Sequence, residues 1–316
     1  MMHKCKTEWA DCVWNPVTGC LYDCAYCIAR EQSKHQCGDS RLHMTTAKRW
    51  KDTDIFYLDK PFAARNNRFL AYPYGYAPTF HEYRMGNLAV RKVGAKILVC
   101  SMGELFGDWV PDELISMVFA ECEKYPQHTY FFLTKNPLRY LHLAETGKLP
   151  KRENMWYGTS VPTDATEYFF GEGYNVFLDI EPMLTDFSGG KDIWANWVIV
   201  GAESKARKAP VAPQREWVEH VAQACEKQNI PIFMRNNLSE LMGPDFMQVY
   251  PDILTVQPEL TVKQKRIRLD VCGSCKQEMP KKEMNTLTVR KGKNGPNKVF
   301  CFLCDKCLDE LRKKME

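Results

Sequence analysis

Lys96-Ile97-Leu98-Val99-Cys100-Ser101-Met102-Gly103-Glu104 is an apolar run that stops abruptly in small and polar residues. A helical pattern follows it. Pro111-Asp112-Glu113 places Pro in a first turn and acids near the positive end of the helix dipole. Leu114, Ile115, Val118, Phe119 and Cys122 then fall on one stripe at helical spacing. The same grammar recurs outward from this unit. Further apolar runs are Thr129-Tyr130-Phe131-Phe132-Leu133, Met155-Trp156-Tyr157, Val176-Phe177-Leu178, Trp197-Val198-Ile199-Val200 and Ile230-Pro231-Ile232-Phe233. Pro213 to Glu226 repeats the helical pattern with Trp217, Val221 and Cys225. Near-continuous apolar runs suit strands covered on both faces of a parallel sheet. The repetition predicts an α/β fold of consecutive βα units, a partial or full (β/α) barrel of parallel strands.

Polar residues sit just after each run: Ser101, Gly103 and Glu104; Thr134 and Lys135; Gly158, Thr159 and Ser160; Asp179 and Glu181; Gly201, Glu203 and Ser204; Arg235, Asn236 and Asn237. In such barrels the carboxyl ends of the strands line the active-site mouth. The plainer reading makes some of them, Thr159, Ser160 and Ser204 above all, ordinary turn and helix-capping residues.

The chain has 316 residues, 45% hydrophobic and 26% charged. That suffices for a buried core and excludes a disordered chain. A barrel of roughly 250 residues plus a small module fits this length. The expected division is a barrel over 1–258, with a loop insertion at about 34–93, and a basic module over 259–316. Val262 to Glu316 holds 15 Lys and Arg against 7 Asp and Glu, a net +8; the whole chain is +4, so the remainder carries −4. A basic tail on a mildly acidic body points to a polyanion partner, with a solvated lysine-rich surface as the alternative.

No run of about 18 apolar residues is present, so no membrane helix is expected. The start, Met1-Met2-His3-Lys4-Cys5-Lys6, has no apolar export segment, and a cytoplasmic location is expected. Of the 14 cysteines, the clustered ones are then better read as metal or cluster ligands than as disulfides, while Cys122 and Cys225 read as core packing. Cys20, Cys24 and Cys27 have the spacing C-x3-C-x2-C. Three thiolates can hold three irons of a [4Fe–4S] cube and leave the fourth iron open. An open metal position is where a substrate or cosubstrate binds. Zinc with a fourth ligand from elsewhere is the competing reading.

The loop resembles the radical S-adenosylmethionine (SAM) superfamily, whose hallmark is C-x3-C-x-aromatic-C after the first barrel strand. Tyr26 holds the aromatic position. Met102-Gly103-Glu104 resembles the superfamily's Gly-Gly-Glu motif, with methionine replacing the first glycine. That motif implies a contact to the SAM amino group. Ser160 lies where the superfamily often places a ribose contact, and Val198 to Glu203 resembles its loose Gly/Glu motif. A narrower resemblance covers roughly residues 7 to 235. Glu8-Trp9-Ala10-Asp11, Trp14-Asn15-Pro16-Val17-Thr18-Gly19-Cys20, Ser101 to Phe106, Leu133-Thr134-Lys135, Asp179-Ile180-Glu181-Pro182 and Trp197 to Gly201 are similar to an uncharacterised, phage-associated family with radical SAM features. Members often space the first two cysteines further apart. They often carry a Lys-Gln-Trp-Gly-like element where this chain has Arg235-Asn236-Asn237.

The resemblance implies that a reduced cluster cleaves SAM to methionine and a 5′-deoxyadenosyl radical, which abstracts hydrogen from an unactivated carbon. The cofactor performs the hard step and the protein positions and shields it. An electron donor such as flavodoxin or ferredoxin is implied as a partner. Tyr26, Gly103, Glu104, Ser160 and Glu203 become candidate cofactor contacts. Asp179, Glu181, Lys135 and Arg235 become candidate substrate-positioning or proton-transfer residues, against plain salt-bridging at the mouth. Cys12 is a candidate thiyl donor, against a packed free thiol.

Cys272-Gly273-Ser274-Cys275 and Cys304-Asp305-Lys306-Cys307 form a CxxC…CxxC pair. This spacing predicts a structural zinc ribbon or treble-clef-like site. A second iron–sulfur cluster is the alternative, and Cys301 is a competing ligand. Thr286 to Arg290 and Asn297 to Phe300 read as a hairpin, and Leu308 to Met315 as a helix. So few residues bury little core, so metal would supply much of the folding energy. The surrounding lysines and arginines suit phosphate contacts. Three functions remain open: a radical SAM enzyme modifying or repairing nucleic acid or a nucleotide, one modifying a protein or peptide, and a non-catalytic iron–sulfur redox sensor that binds nucleic acid.

Overall fold

A computed structural model describes residues 3–4, 7–64, 68–91, 93–189, 192–204, 209–255, 269–271, 278–280, 285–290, 297–303 and 305–313. The chain separates into two compact units, Met1–Pro258 and Glu259–Glu316.

The first unit is built on one sheet. Its parallel strands are β1 (Cys12–Trp14), β2 (Lys96–Val99), β3 (Thr129–Thr134), β4 (Met155–Ser160), β5 (Asn175–Ile180), β6 (Trp197–Val200) and β7 (Ile232–Met234). Each pairs in parallel with the next in chain order. His3–Lys4 adds an antiparallel edge to β1. A strand order that never reverses is that of a barrel, since a doubly wound sheet would switch direction at its centre. The expected α/β partial barrel is therefore present, and all six apolar runs are strands. β1 is the strand that the hydrophobic pattern does not announce.

The helices named below are α1 (Ile28–Lys34), α2 (Asp112–Glu123), α3 (Pro137–Glu145) and α4 (Arg215–Lys227). Alternation along the strands sorts side chains to two faces. Ile97, Val99, Tyr130, Phe132, Met155, Tyr157 and Val176 pack with Leu114, Ile115, Val118, Phe119 and Cys122 of α2 and with Tyr140 and Leu143 of α3. Leu178, Ile180, Val198, Val200, Ile232 and Met234 pack with Val218, Val221 and Cys225 of α4. The intervening residues, Leu98, Phe131, Trp156, Phe177, Trp197, Ile199 and Phe233, form a separate cluster with Trp9 and Ala10. That cluster is the barrel interior.

Trp9 fills this interior from the N-terminal segment. Its ring lies 5.3 Å from Phe131, 5.8 Å from Phe177 and 5.9 Å from Trp197. Three edge-on aromatic contacts add to the area that the indole buries. Trp9→Ala would leave an indole-sized void that this layer of rings cannot collapse into. We expect it to lower unfolding free energy by about 3–5 kcal/mol, read from denaturant titration.

The stretch expected as a loop insertion is folded. Val17–Thr18, Thr79–His81, Phe56–Leu58 and Lys48–Arg49 make a four-stranded sheet in that order, and Phe62–Ala63 pairs with Phe69–Leu70. Its strands are two or three residues long, and short strands give too little alternation to be read from sequence.

In the second unit Leu269–Val271 pairs antiparallel with Glu278–Pro280, and Asn285–Arg290 with Asn297–Leu303. A helix spans Asp305–Lys313. The expected hairpin and terminal helix are both present. No helix among the described residues is long and apolar enough to cross a membrane.

Candidate functional site

The cysteine loop joins the short strand Val17–Thr18 to α1. Cys27 caps α1, its sulfur accepting from Arg30 N at 3.4 Å, and Cys20 Sγ accepts from Tyr22 N at 3.3 Å. The Arg30 guanidinium donates back to the carbonyls of Cys20 (3.2 Å) and Tyr22 and lies 5.1 Å from the Tyr76 ring. Tyr76 reaches in from the turn before the strand Thr79–His81, its hydroxyl 3.9 Å from Cys27 Sγ. Burial, with Glu104, Cys24 and Cys27 adding to it, pushes the Cys20 thiol up to about 12, although the Tyr22 N–H pulls the other way. The Cys20 thiolate therefore needs a cation beside it, and a bound metal inverts this balance. Among the described residues no three His, Cys, Asp or Glu side chains gather closely enough for a single metal ion. A cube asks for something different, one thiolate per iron, with N–H groups aimed at the sulfurs. Cys20, Cys24 and Cys27 have the donor chemistry and the N–H contacts for it.

Two glycines press this loop onto the end of β2. Gly19 bridges to Gly103, with Gly19 N to Met102 O at 3.0 Å and Glu104 N to Gly19 O at 3.1 Å. Gly19 has φ +83°, and a Cβ there would sit 2.3 Å from Ala77 O. A Cβ on Gly103 would sit 2.8 Å from Thr18 Cα. Neither position accepts a side chain, so the residues before the first cysteine and before Glu104 share one contact.

Glu104 is buried beside this contact. Its Oε1 accepts from Phe106 N at 3.1 Å and Thr134 Oγ1 at 2.7 Å, and its Oε2 from Lys135 N at 3.0 Å. A carboxylate offers about four acceptor sites, so one remains. Burial raises the Glu104 pKa, opposed by those same donors. A buried carboxylate in this state favours a cationic partner on its last site.

The interior parity of β3 to β7 carries the other candidates to the same face. Lys135 Nζ donates to Ser160 Oγ at 2.9 Å and lies 5.3 Å from the Tyr26 ring. Ser160 lies beside Asp179 in the register of β4 and β5. Asp179 is buried and its Oδ1 has no hydrogen-bond partner among the described residues. Burial, then the neighbouring Glu181, push its carboxyl up to about 8 against the pull of Arg235 and Lys135. Arg235 is clamped between Glu181 and Glu8 in a largely buried triad. Gly201 makes room for it, since a Cβ there would lie 2.9 Å from Arg235 Cγ and 3.1 Å from Glu181 Cγ.

Tyr26, Gly103, Glu104, Lys135, Ser160, Asp179, Glu181 and Arg235 are thus linked by contact or adjacency at one end of the barrel. Glu203 accepts from Val211 N at 3.0 Å, tying down the loop after β6. Sequence reasoning missed Arg30 and Tyr76, and it named Thr134 only as a strand-end residue and Glu8 without a role. Of the second-unit cysteines, Cys307 is buried in the terminal helix. Cys272, Cys275 and Cys304 lie outside the described residues, and Cys301 lies in the strand Asn297–Leu303.

Among solved structures the chain is similar to a spore photoproduct lyase variant with bound AdoMet and dinucleoside spore photoproduct, at 10% identity and a TM-score of 0.34, over 100% of this chain and 74% of that one. Spore photoproduct lyase complexed with dinucleoside spore photoproduct aligns at 10% identity and a TM-score of 0.34, with the same coverage. No curated protein matches. Residues 4–240 match the family described as "Protein of unknown function (DUF5131)", and the chain belongs to that family.

Proposed function

We propose that this protein is a radical SAM enzyme acting on nucleic acid or a nucleotide. The observation that carries the reading is Glu104, which is held by three donors, keeps one acceptor site, and is packed through Gly103 and Gly19 against the loop of Cys20, Cys24 and Cys27. In this reading the three cysteines hold a [4Fe–4S] cluster and Glu104 accepts from the α-ammonium group of SAM. When bound, the cluster supplies the electron that cleaves SAM reductively. That electron would come to the bound cluster from an external one-electron donor such as flavodoxin or ferredoxin. Arg30 and Tyr76 brace the loop. Tyr26 flanks Lys135, and Lys135 holds Ser160 toward the mouth. Trp9 and the aromatic layer below exclude water from the floor. Asp179, Glu181 and Arg235 orient the substrate at the rim.

The substrate class rests on charge. The net +8 of Val262 to Glu316, within the second unit, suits phosphate-backbone contacts that weaken with salt. We assign that unit a structural zinc held by Cys272, Cys275, Cys304 and Cys307. Cys304 directly precedes the helix Asp305–Lys313 and Cys307 lies in its first turn, so a knuckle closing onto a helix start fits this order.

Glu104→Gln tests the cosubstrate contact. The amide presents N–H groups to donors and loses the charge, while the cysteine loop is untouched. Iron content should be unchanged, and SAM affinity, read by equilibrium dialysis, should fall roughly tenfold to a hundredfold, as for loss of a charge-assisted hydrogen bond. Unchanged affinity would remove Glu104 from the SAM site.

A further inference from the structure

Resting on the nucleic-acid reading above, we infer that Asp179 is the base-reading residue of the mouth, a neutral carboxylic acid that pairs side by side with the donor–acceptor edge of a nucleobase. Asp179 stands on the interior face of β5, 5% exposed, with Oδ1 unpartnered among the described residues. A buried polar atom left without a partner costs free energy unless a ligand satisfies it.

Every charged group facing Asp179 is already engaged. Lys135, from the end of β3, donates to Ser160 and sits over Tyr26. Arg235, from the end of β7, is held by Glu181 and Glu8. Glu181, two residues along its own chain, repels a second negative charge. Ile199 is its paired neighbour on β6 and supplies no polar group. The site therefore favours the protonated acid, whose pKa is raised.

Protonation decides what can be recognised. A carboxylate only accepts, whereas a carboxylic acid donates from one oxygen and accepts at the other. It then has the hydrogen-bonding pattern of a side-chain amide, the group that reads a base edge bidentately. A trans peptide unit points its N–H and C=O in opposite directions and cannot engage both oxygens at once. The geometry thus favours a nucleobase over a peptide backbone.

The test uses the full-length, cluster-reconstituted chain and two probes: a short single-stranded DNA containing all four bases, and an abasic strand of equal length. The ratio of their affinities, by fluorescence anisotropy, cancels the phosphate contacts. The wild type should prefer the base-bearing strand by roughly tenfold at about pH 6.5 and lose that preference by about pH 9.5, as Asp179 ionises. Asp179→Asn, neutral at both pH values, should keep the preference at both. Asp179→Ala should show none at either. A wild type without preference, an Ala variant that retains it, or a preference that rises with pH and vanishes in Asp179→Asn would each overturn the assignment. SAM cleavage is measured separately, so failure here leaves the radical SAM reading standing.

Discussion

Alanine at any one of Cys20, Cys24 or Cys27 should reduce bound iron from roughly four per chain to nearly none, with loss of the broad visible charge-transfer absorbance. In the proposed site each thiolate would anchor one iron, so losing any one leaves an iron without its protein ligand. The effect should be all-or-none, because a cube with two protein ligands is exposed and labile. Cys37 supplies the control. It is half-buried, and its sulfur sits near the carbonyls of Lys34 (3.3 Å) and Gly38 (3.4 Å), outside the spacing. Cys37→Ala should keep full iron. Retention of iron in the triple variant would show that the loop is not a cluster site.

Arg235→Ala should be the most destabilising change at the rim. It strands the carboxylates of Glu181 and Glu8, whose side chains are 16% and 23% exposed. Removing one partner of a buried charge network costs about 3–5 kcal/mol. Arg235→Lys should recover only part, since an ammonium cannot present the guanidinium fork to two acids. The pH dependence has a definite sign. Without Arg235, burial keeps the folded pKa of Glu181 above its unfolded value. The variant is then most stable below the unfolded value and loses stability as pH rises through the folded one. Denaturation at mildly acidic and at neutral pH should show a smaller penalty in acid. A penalty independent of pH would mean that lost packing, not stranded charge, sets the cost.

The strands β2 to β7 were legible because both their faces are buried, which forces unbroken apolar runs. β1 was not, since Cys12–Trp14 is three residues long with Val13 only partly covered. The residues at strand ends were legible by position alone, and Glu104, Lys135, Ser160, Asp179 and Glu181 meet because parallel strands bring their carboxyl ends to one side. The bracing residues carry no such signal. Tyr76 lies 49 positions from Cys27, and Arg235 lies 227 positions from Glu8. Such pairs follow from how the N-terminal segment and the small sheet pack, which no local pattern encodes. Gly201 reads in sequence only as a strand-end residue within a loose Gly/Glu stretch. In the fold it is the space that Arg235 and Glu181 occupy.

The most direct measurement is the product of SAM turnover. Anaerobically reconstituted protein with a full iron complement, given dithionite and SAM, should yield 5′-deoxyadenosine and methionine. The three single cysteine variants should yield none, and Glu104→Gln should yield less at sub-saturating SAM. Absence of 5′-deoxyadenosine from the iron-loaded wild type, both alone and with single-stranded nucleic acid present, would contradict the assignment of this barrel mouth as a radical SAM site.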